Sequence, residues 1–173
     1  MRDADGFDAF YAGSVRRITG QLYAMTGDKD QAEECVQEAF ARAWQRWGSV
    51  SGFDDPEAWV RTVAYRISVD TWRRALRRTK AYRRHGVPED TPGITPDSIA
   101  IMSALRQIPD AQRRAIVLYH LVGLPVGQVA DETGVPAGTV KARLARGRQA
   151  LATLLSDPPH GGGATSEGVP SHA

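Results

Sequence analysis

The 173-residue chain holds a single cysteine, Cys35, so it can form no internal disulfide, and a zinc site built on several cysteines is excluded. No uninterrupted apolar run approaches the ~18–20 residues that span a bilayer. The opening MRDADGFDAFY carries acids where a signal peptide carries a basic and then an apolar stretch, which points to a cytoplasmic protein. None of the four histidines (His85, His120, His160, His172) lies in a helical segment with an acid three or four residues away, the spacing of a helical metal motif. The GGG at 161–163 has no strand before it and no helix after it, so it is not a phosphate loop. The sequence therefore offers no catalytic constellation, metal site, cofactor or small-molecule substrate. Alternation of the β type never exceeds four residues and no repeat is present, which leaves a helical chain. Lysine is scarce: 19 of the 22 basic residues are arginine. That bias favours bidentate contacts to phosphates and base edges, although a GC-rich genome produces it equally well.

The formal charge of +2 conceals segregation. Between Asp28 and Phe40 stand five acids and one base; between Glu57 and Arg84, nine bases and two acids; between Gly138 and Leu155, four bases and no acid. Each run alone is more often an ordinary solvated helix face. Together, an acidic patch beside two basic ones suggests two kinds of partner, with nucleic acid on the basic surfaces.

Four segments follow. Residues 5–80 read as an aromatic-rich helical domain, 81–97 as a Pro- and Gly-bearing flexible linker, 98–155 as a second helical domain, and 156–173 as a disordered tail unable to bury a core. In the first, Phe7, Phe10, Tyr11, Val15, Ile18 and Leu22 fall on three- and four-residue steps. Gly27 breaks this helix and Asp28 caps the next, whose stripe of Ala32, Cys35, Val36, Ala39, Phe40, Ala43, Trp44 and Trp47 ends at Gly48. After the loop GSVSGFDDP, Asp55 caps a third helix with Pro56 in its first turn. Trp59 and Trp72 on that helix read as core rather than base-stacking residues. Phe53 in the loop suits a hydrophobic plug and an exposed contact equally. In the second domain, Ser98 reads as a cap, Ile99, Met102, Leu105 and Ile108 as one stripe, and Ile116, Val117, Leu118 and Leu121 as another. His120 on that second helix reads as a structural residue.

The sharpest local signal is VGQVADETGVPAGTVKARLARGRQAL. A short helix turning inward on Val126, Val129 and Ala130, a turn at Gly134, and a helix anchored by Val140 and Leu144 have helix-turn-helix spacing. The last helix offers Thr139 near its N-terminus, where amides meet phosphate, and then Lys141, Ala142, Arg143, Ala145, Arg146 and Arg148. Bases separated by small residues suit a major groove.

GTVKARLARGRQAL, preceded by LRQIPDAQRRAIVLYHLVGLPVGQVADETGVP, resembles the promoter-reading domain of bacterial sigma factors. DQAEECVQEAFARAW resembles that family's core-polymerase-binding helix, and AWVRTVAYRISVDTWRR the helix that reads the −10 element. The order and spacing resemble the extracytoplasmic-function (ECF) group across roughly residues 5–155. The resemblance implies an all-α protein of two small helical domains, the C-terminal one a four-helix helix-turn-helix domain. It implies a non-enzymatic function: binding core RNA polymerase, recognising double-stranded −35 DNA and melting −10 DNA. Glu34, Gln37, Glu38 and Arg42 would face polymerase. Phe53, Arg61, Arg66, Arg73 and Arg74 would meet the single-stranded −10 element, and the residues from Thr139 to Arg148 named above the −35 duplex. An anti-sigma factor is a family expectation. The chain departs from the common pattern at Glu34-Cys35 (often Asp-Leu), Arg66 (often Asn), Gly127-Gln128 (often Tyr-Glu) and Ala142 (often Ser). The rival reading is a helix-turn-helix regulator acting without polymerase, for which the sequence shows no separate dimerisation helix.

Overall fold

A computed structural model describes residues 3–78 and 95–156. Most of the expected linker, and the expected tail from residue 157, lie outside them. Every element among the described residues is helical. Helix α1 (Ala4–Thr26) begins where the Asp3 carboxylate accepts from the Gly6 amide, and ends at Gly27, whose φ of 77° is the left-handed value that glycine tolerates. Asp28 caps α2 (Lys29–Gln45) by accepting from the Gln31 amide. That helix stops three residues before Gly48, which instead lies within the single turn α3 (Trp47–Val50). Asp55 Oδ1 accepts from the Ala58 amide at 2.9 Å and opens α4 (Pro56–Arg78); each such cap is worth about 1 kcal/mol. Ile18 and Leu22 of α1, Val36, Ala39 and Phe40 of α2, and Val60 and Ala64 of α4 close the N-terminal core, with Cys35 buried among them as a small apolar residue. Each fully buried Leu, Ile, Val or Phe contributes roughly 1.5–3 kcal/mol.

The first helix after the expected linker starts two residues before Ser98. Thr95, not Ser98, caps α5 (Pro96–Gln107): its hydroxyl accepts from the Ser98 amide, and Pro96 occupies the first turn. Leu105 and Ile108 are buried, whereas Ile99 at the same stripe's start is exposed. Helix α6 (Asp110–Ile116) runs into a π-helical segment, Val117–Leu121. The wider turn changes the angle between successive side chains, so Leu118 is buried while Leu121 points to solvent, against the expected stripe. After Gly123 (φ 84°) come α7 (Val126–Thr133) and α8 (Ala137–Ser156).

The two domains are not separate bodies. Ala24 and Met25 at the end of α1 belong to the C-terminal core, packed with Leu105, Ile108, Ala115 and Ile116. They lie just past the last residue of the apolar stripe read in the sequence.

Candidate nucleic-acid interface

Helices α7 and α8 form the expected helix-turn-helix. Gly134, at φ 68°, closes α7 by donating its amide to Ala130 O at 2.9 Å, and Val129, Val140 and Leu144 are buried between the helices. This leaves Lys141, Ala145, Arg146 and Arg148 exposed on α8, with Thr139, Ala142 and Arg143 half-buried beside them. Arg148 is held: its Nε donates to His120 Nε2 at 3.1 Å, and its guanidinium lies 5.3 Å from the centre of the Tyr119 ring. An arginine can only donate, so His120 Nε2 carries a lone pair and the imidazole is neutral. Burial first, and then the Arg148 charge, hold the His120 pKa below the ordinary histidine value.

This arrangement has a measurable consequence. Protonating His120 breaks its bond to Arg148, so folded-state stability falls as pH drops through the unfolded histidine value of about 6.5 toward the lower folded one. In an NMR titration, His120 is expected to have a midpoint below that of a free histidine, and Arg148→Ala should move it upward. An ordinary midpoint in both proteins would dismiss the contact.

The second candidate surface lies on α4 and the loop before it. Phe53 is 45% exposed, which favours the contact reading over the plug, and Arg66, Arg73 and Arg74 are exposed along α4. Trp59 packs against the N-terminal core as expected. Trp72 does not: it is 54% exposed, because α4 overhangs its neighbours and every side chain from Thr71 to Arg78 is solvated. Arg61 departs in the other direction. Expected on the DNA face, it is 2% exposed, donating from Nε and Nη2 to Glu132 of α7 at 2.9 and 2.7 Å and from Nη1 to Gln21 of α1 at 3.3 Å. A guanidinium buried this deeply needs such a forked carboxylate.

Three further arginines, from the C-terminal domain, reach the N-terminal one. Arg113 Nε donates to Met25 O at 2.6 Å, and Arg106 Nη2 to the Tyr23 hydroxyl at 3.2 Å. Arg114 stacks 3.9 Å over the Tyr65 ring and donates to Glu132 O at 3.1 Å. Burial lowers the Arg114 pKa, and the nearby charges of Arg66 and Arg143 lower it further, against the opposing pull of Tyr65 and Glu132. None of Gln21, Tyr65, Glu132 and Arg113 stood out in the sequence. Their signal is long-range pairing, which periodicity within one helix does not carry.

The acidic face of α2 is solvated. Glu34, Gln37, Glu38 and Arg42 are all exposed; Arg42 Nε bonds Glu38 Oε1 at 2.9 Å, and Gln37 Nε2 donates to the Tyr11 hydroxyl at 3.0 Å. That last bond sits on the rim of a groove of about 330 Å³ lined chiefly by Phe7, Tyr11, Phe40 and Trp44. Val36 and Phe40 turn inward as expected. Among the described residues, no helix is long and apolar enough to cross a membrane.

A helix-turn-helix domain joined to a helical domain with one acidic and one basic face defines a two-domain promoter-recognition protein of the sigma-70 type. Residues 10–78 match the family described as Sigma-70 region 2, and residues 98–151 match Sigma-70, region 4. The chain is 34% identical over 140 residues to the ECF RNA polymerase sigma factor SigL of Mycobacterium tuberculosis (strain ATCC 25618 / H37Rv), covering 77% of this chain and 79% of that one. It is 29% identical over 171 residues to the ECF RNA polymerase sigma factor SigW of Bacillus subtilis (strain 168), covering 90% and 91%. In fold it is similar to the sigma factor RpoE crystallised with the anti-sigma factor NepR from Bartonella quintana, with a TM-score of 0.79 at 22% identity over 88% of this chain and 98% of that one. The chain belongs to the ECF RNA polymerase sigma factors, which direct promoter-specific transcription and are not enzymes.

Proposed function

We propose the following division of labour for this sigma factor. The exposed α2 face, Glu34, Gln37, Glu38 and Arg42, binds core RNA polymerase. The exposed side of α8 enters the major groove of the −35 element, Lys141, Ala142, Ala145 and Arg146 facing the bases and Thr139, Arg143 and Arg148 the phosphates. Phe53, Arg66, Arg73 and Arg74 engage the separated −10 strand, joined by Arg61 once it is freed from Glu132. Aromatic and cationic groups together suit single strands. The observation that carries this reading is the exposure of basic side chains on two helices, one per domain, with the acidic α2 face also turned to solvent. The protein acts in the cytoplasm, where it meets polymerase and promoter, and an anti-sigma factor is an expected partner. Run-off transcription with core polymerase tests the whole assignment. Transcript from a matching promoter is the expected outcome, and duplex binding without promoter-dependent transcript would instead favour a polymerase-independent regulator.

The polymerase contact has its own test. Gln37 and Glu38 are exposed and off the apolar stripe. Replacing them with Ala and Arg is therefore expected to lower affinity for core polymerase at least tenfold, about 1.4 kcal/mol, with unchanged helical content by circular dichroism. Undiminished co-purification with core would remove α2 from the interface.

A further inference from the structure

We propose that His120 is a further DNA contact: its neutral imidazole donates from Nδ1 to a backbone phosphate of the −35 duplex, next to the phosphate held by Arg148. The inference extends the division of labour above and rests on its placement of α8 on the −35 element.

Arg148 leaves His120 one hydrogen-bonding arrangement. The Arg148 Nε donates to His120 Nε2 at 3.1 Å, so Nε2 is the unprotonated nitrogen and the ring proton of the neutral imidazole sits on Nδ1. A proton on both nitrogens would cost the Arg148 bond, and burial together with the Arg148 charge already disfavours it. Among the described residues no acceptor takes the Nδ1 proton, and the residue is exposed. A donor with a set tautomer and no protein partner suits an acceptor from outside the chain.

The local structure puts that donor beside DNA. Lys141, Ala145 and Arg148 stand at i, i+4 and i+7, so they share one side of α8. His120 bonds the last of the three and extends this row beyond the helix. It lies on the π-helical segment Val117–Leu121, which the Val122 amide closes on Val117 O at 3.0 Å. That turn presents two consecutive residues to one arginine: the Tyr119 ring 5.3 Å below the guanidinium, and His120 at Nε. The two rings meet edge to face with centroids 4.8 Å apart, which holds the plane of the imidazole. Neither the segment 111–130 nor the segment 133–155 contains an acid, so neither repels a phosphate or competes for the proton.

The shape of the ring separates the two contacts. Nε2 and Nδ1 lie on different edges of the imidazole, so the Nδ1 proton points away from the guanidinium. The remaining N–H groups of Arg148 therefore meet one phosphate, and Nδ1–H its neighbour along the strand. A neutral donor displaces no counterion, so the His120 contact adds affinity without steepening the salt dependence.

The test uses the full chain and a −35 duplex that the wild type selects from a randomised pool. His120→Ala is expected to weaken binding about fivefold for every sequence in a panel of single-base variants, with an unchanged salt slope, whereas Arg148→Ala reduces that slope by about one unit. His120→Gln, whose amide offers an acceptor to Arg148 and a donor to phosphate, should recover most of the loss. Duplexes carrying one neutral methylphosphonate at a time locate the contact. One linkage should lose its effect in Arg148→Ala, and the adjacent linkage in His120→Ala. Long-range proton–nitrogen correlation spectra of the free wild type should show the Nδ1–H tautomer at neutral pH, and those of Arg148→Ala a mixture. Wild-type affinity in His120→Ala, an Nε2–H tautomer in the free chain, or coupling of His120→Ala to the Arg148 linkage alone would overturn the contact. Losses in Lys141→Ala, Arg146→Ala and Arg148→Ala beside an unaltered His120→Ala would overturn it while leaving α8 on the DNA. Unaltered binding in all four variants would overturn the placement of α8 and the contact with it.

Discussion

Gly147→Val is expected to destabilise the C-terminal domain by about 2–3 kcal/mol and to lower the thermal midpoint of the chain by roughly 5–10 °C. Gly147 is buried where α8 crosses α6. A Cβ there would stand 2.9 Å from Ile116 Cγ1, 3.3 Å from Ile116 Cδ1 and 3.5 Å from Gln112 Cβ. Ile116 is itself 6% exposed inside the core, so it has little room to retreat, and a branched side chain adds two further carbons to the clash. Separation of α8 from α6 would also tilt the DNA-facing side, so −35 affinity should fall with stability. Gly127→Ala provides the matched contrast. A Cβ at Gly127 meets nothing within 4 Å, and the residue lies exposed in the first turn of α7. There, alanine should stabilise by up to about 1 kcal/mol through helix propensity alone. Differential scanning of the two variants checks both signs. A Gly147→Val chain as stable as the wild type would mean that α6 and α8 do not approach this closely.

The other large effect concerns sequence reading by α8. Arg146 and Lys141 are exposed, Arg146 opposite Val140 and Leu144 by helical spacing and Lys141 toward the flank of that buried side. A bidentate arginine–guanine contact contributes about 1–3 kcal/mol of discrimination. Arg146→Ala should therefore relax preference at one or two −35 positions by roughly ten- to a hundredfold and leave other positions unchanged. Arg148 is held at the flank by His120 and Tyr119 and so presents a pre-set charge rather than a searching side chain. Arg148→Ala should weaken binding to all sequences alike and reduce the salt slope by about one unit. Affinities across a panel of single-base −35 variants at two salt concentrations separate the two roles. A uniform loss from Arg146→Ala would make it a phosphate contact and turn the helix about its axis in the groove.

The sequence alone determined the elements. Asp28, Gly27, Asp55, Pro56 and Gly134 stop and start helices through contacts within a few residues, and the stripes of α1, α2 and α8 follow from a period that one helix imposes on itself. The promoter-reading character of α8 was legible for the same reason, since Lys141 to Arg148 is a local run. Two local features depart from the pattern that periodicity and capping residues give. Thr95 rather than Ser98 caps α5, and the π-helical turn swings Leu121 outward. The tertiary structure alone decided how the domains meet. The family resemblance puts Arg61 on the DNA face, and nothing within α4 reveals that a carboxylate 71 positions away takes its fork. Trp72 reads as core because tryptophan is large and apolar, yet burial requires a neighbour, and α4 outruns its neighbours there. Gly147 carries no turn, and its role exists only because α6 crosses at that point. Backbone hydrogen bonds and side-chain periodicity act over a few residues and are written in order along the chain. Burial, ion pairing and close helix crossings depend on which distant surfaces come together, and that is settled only when the chain is folded.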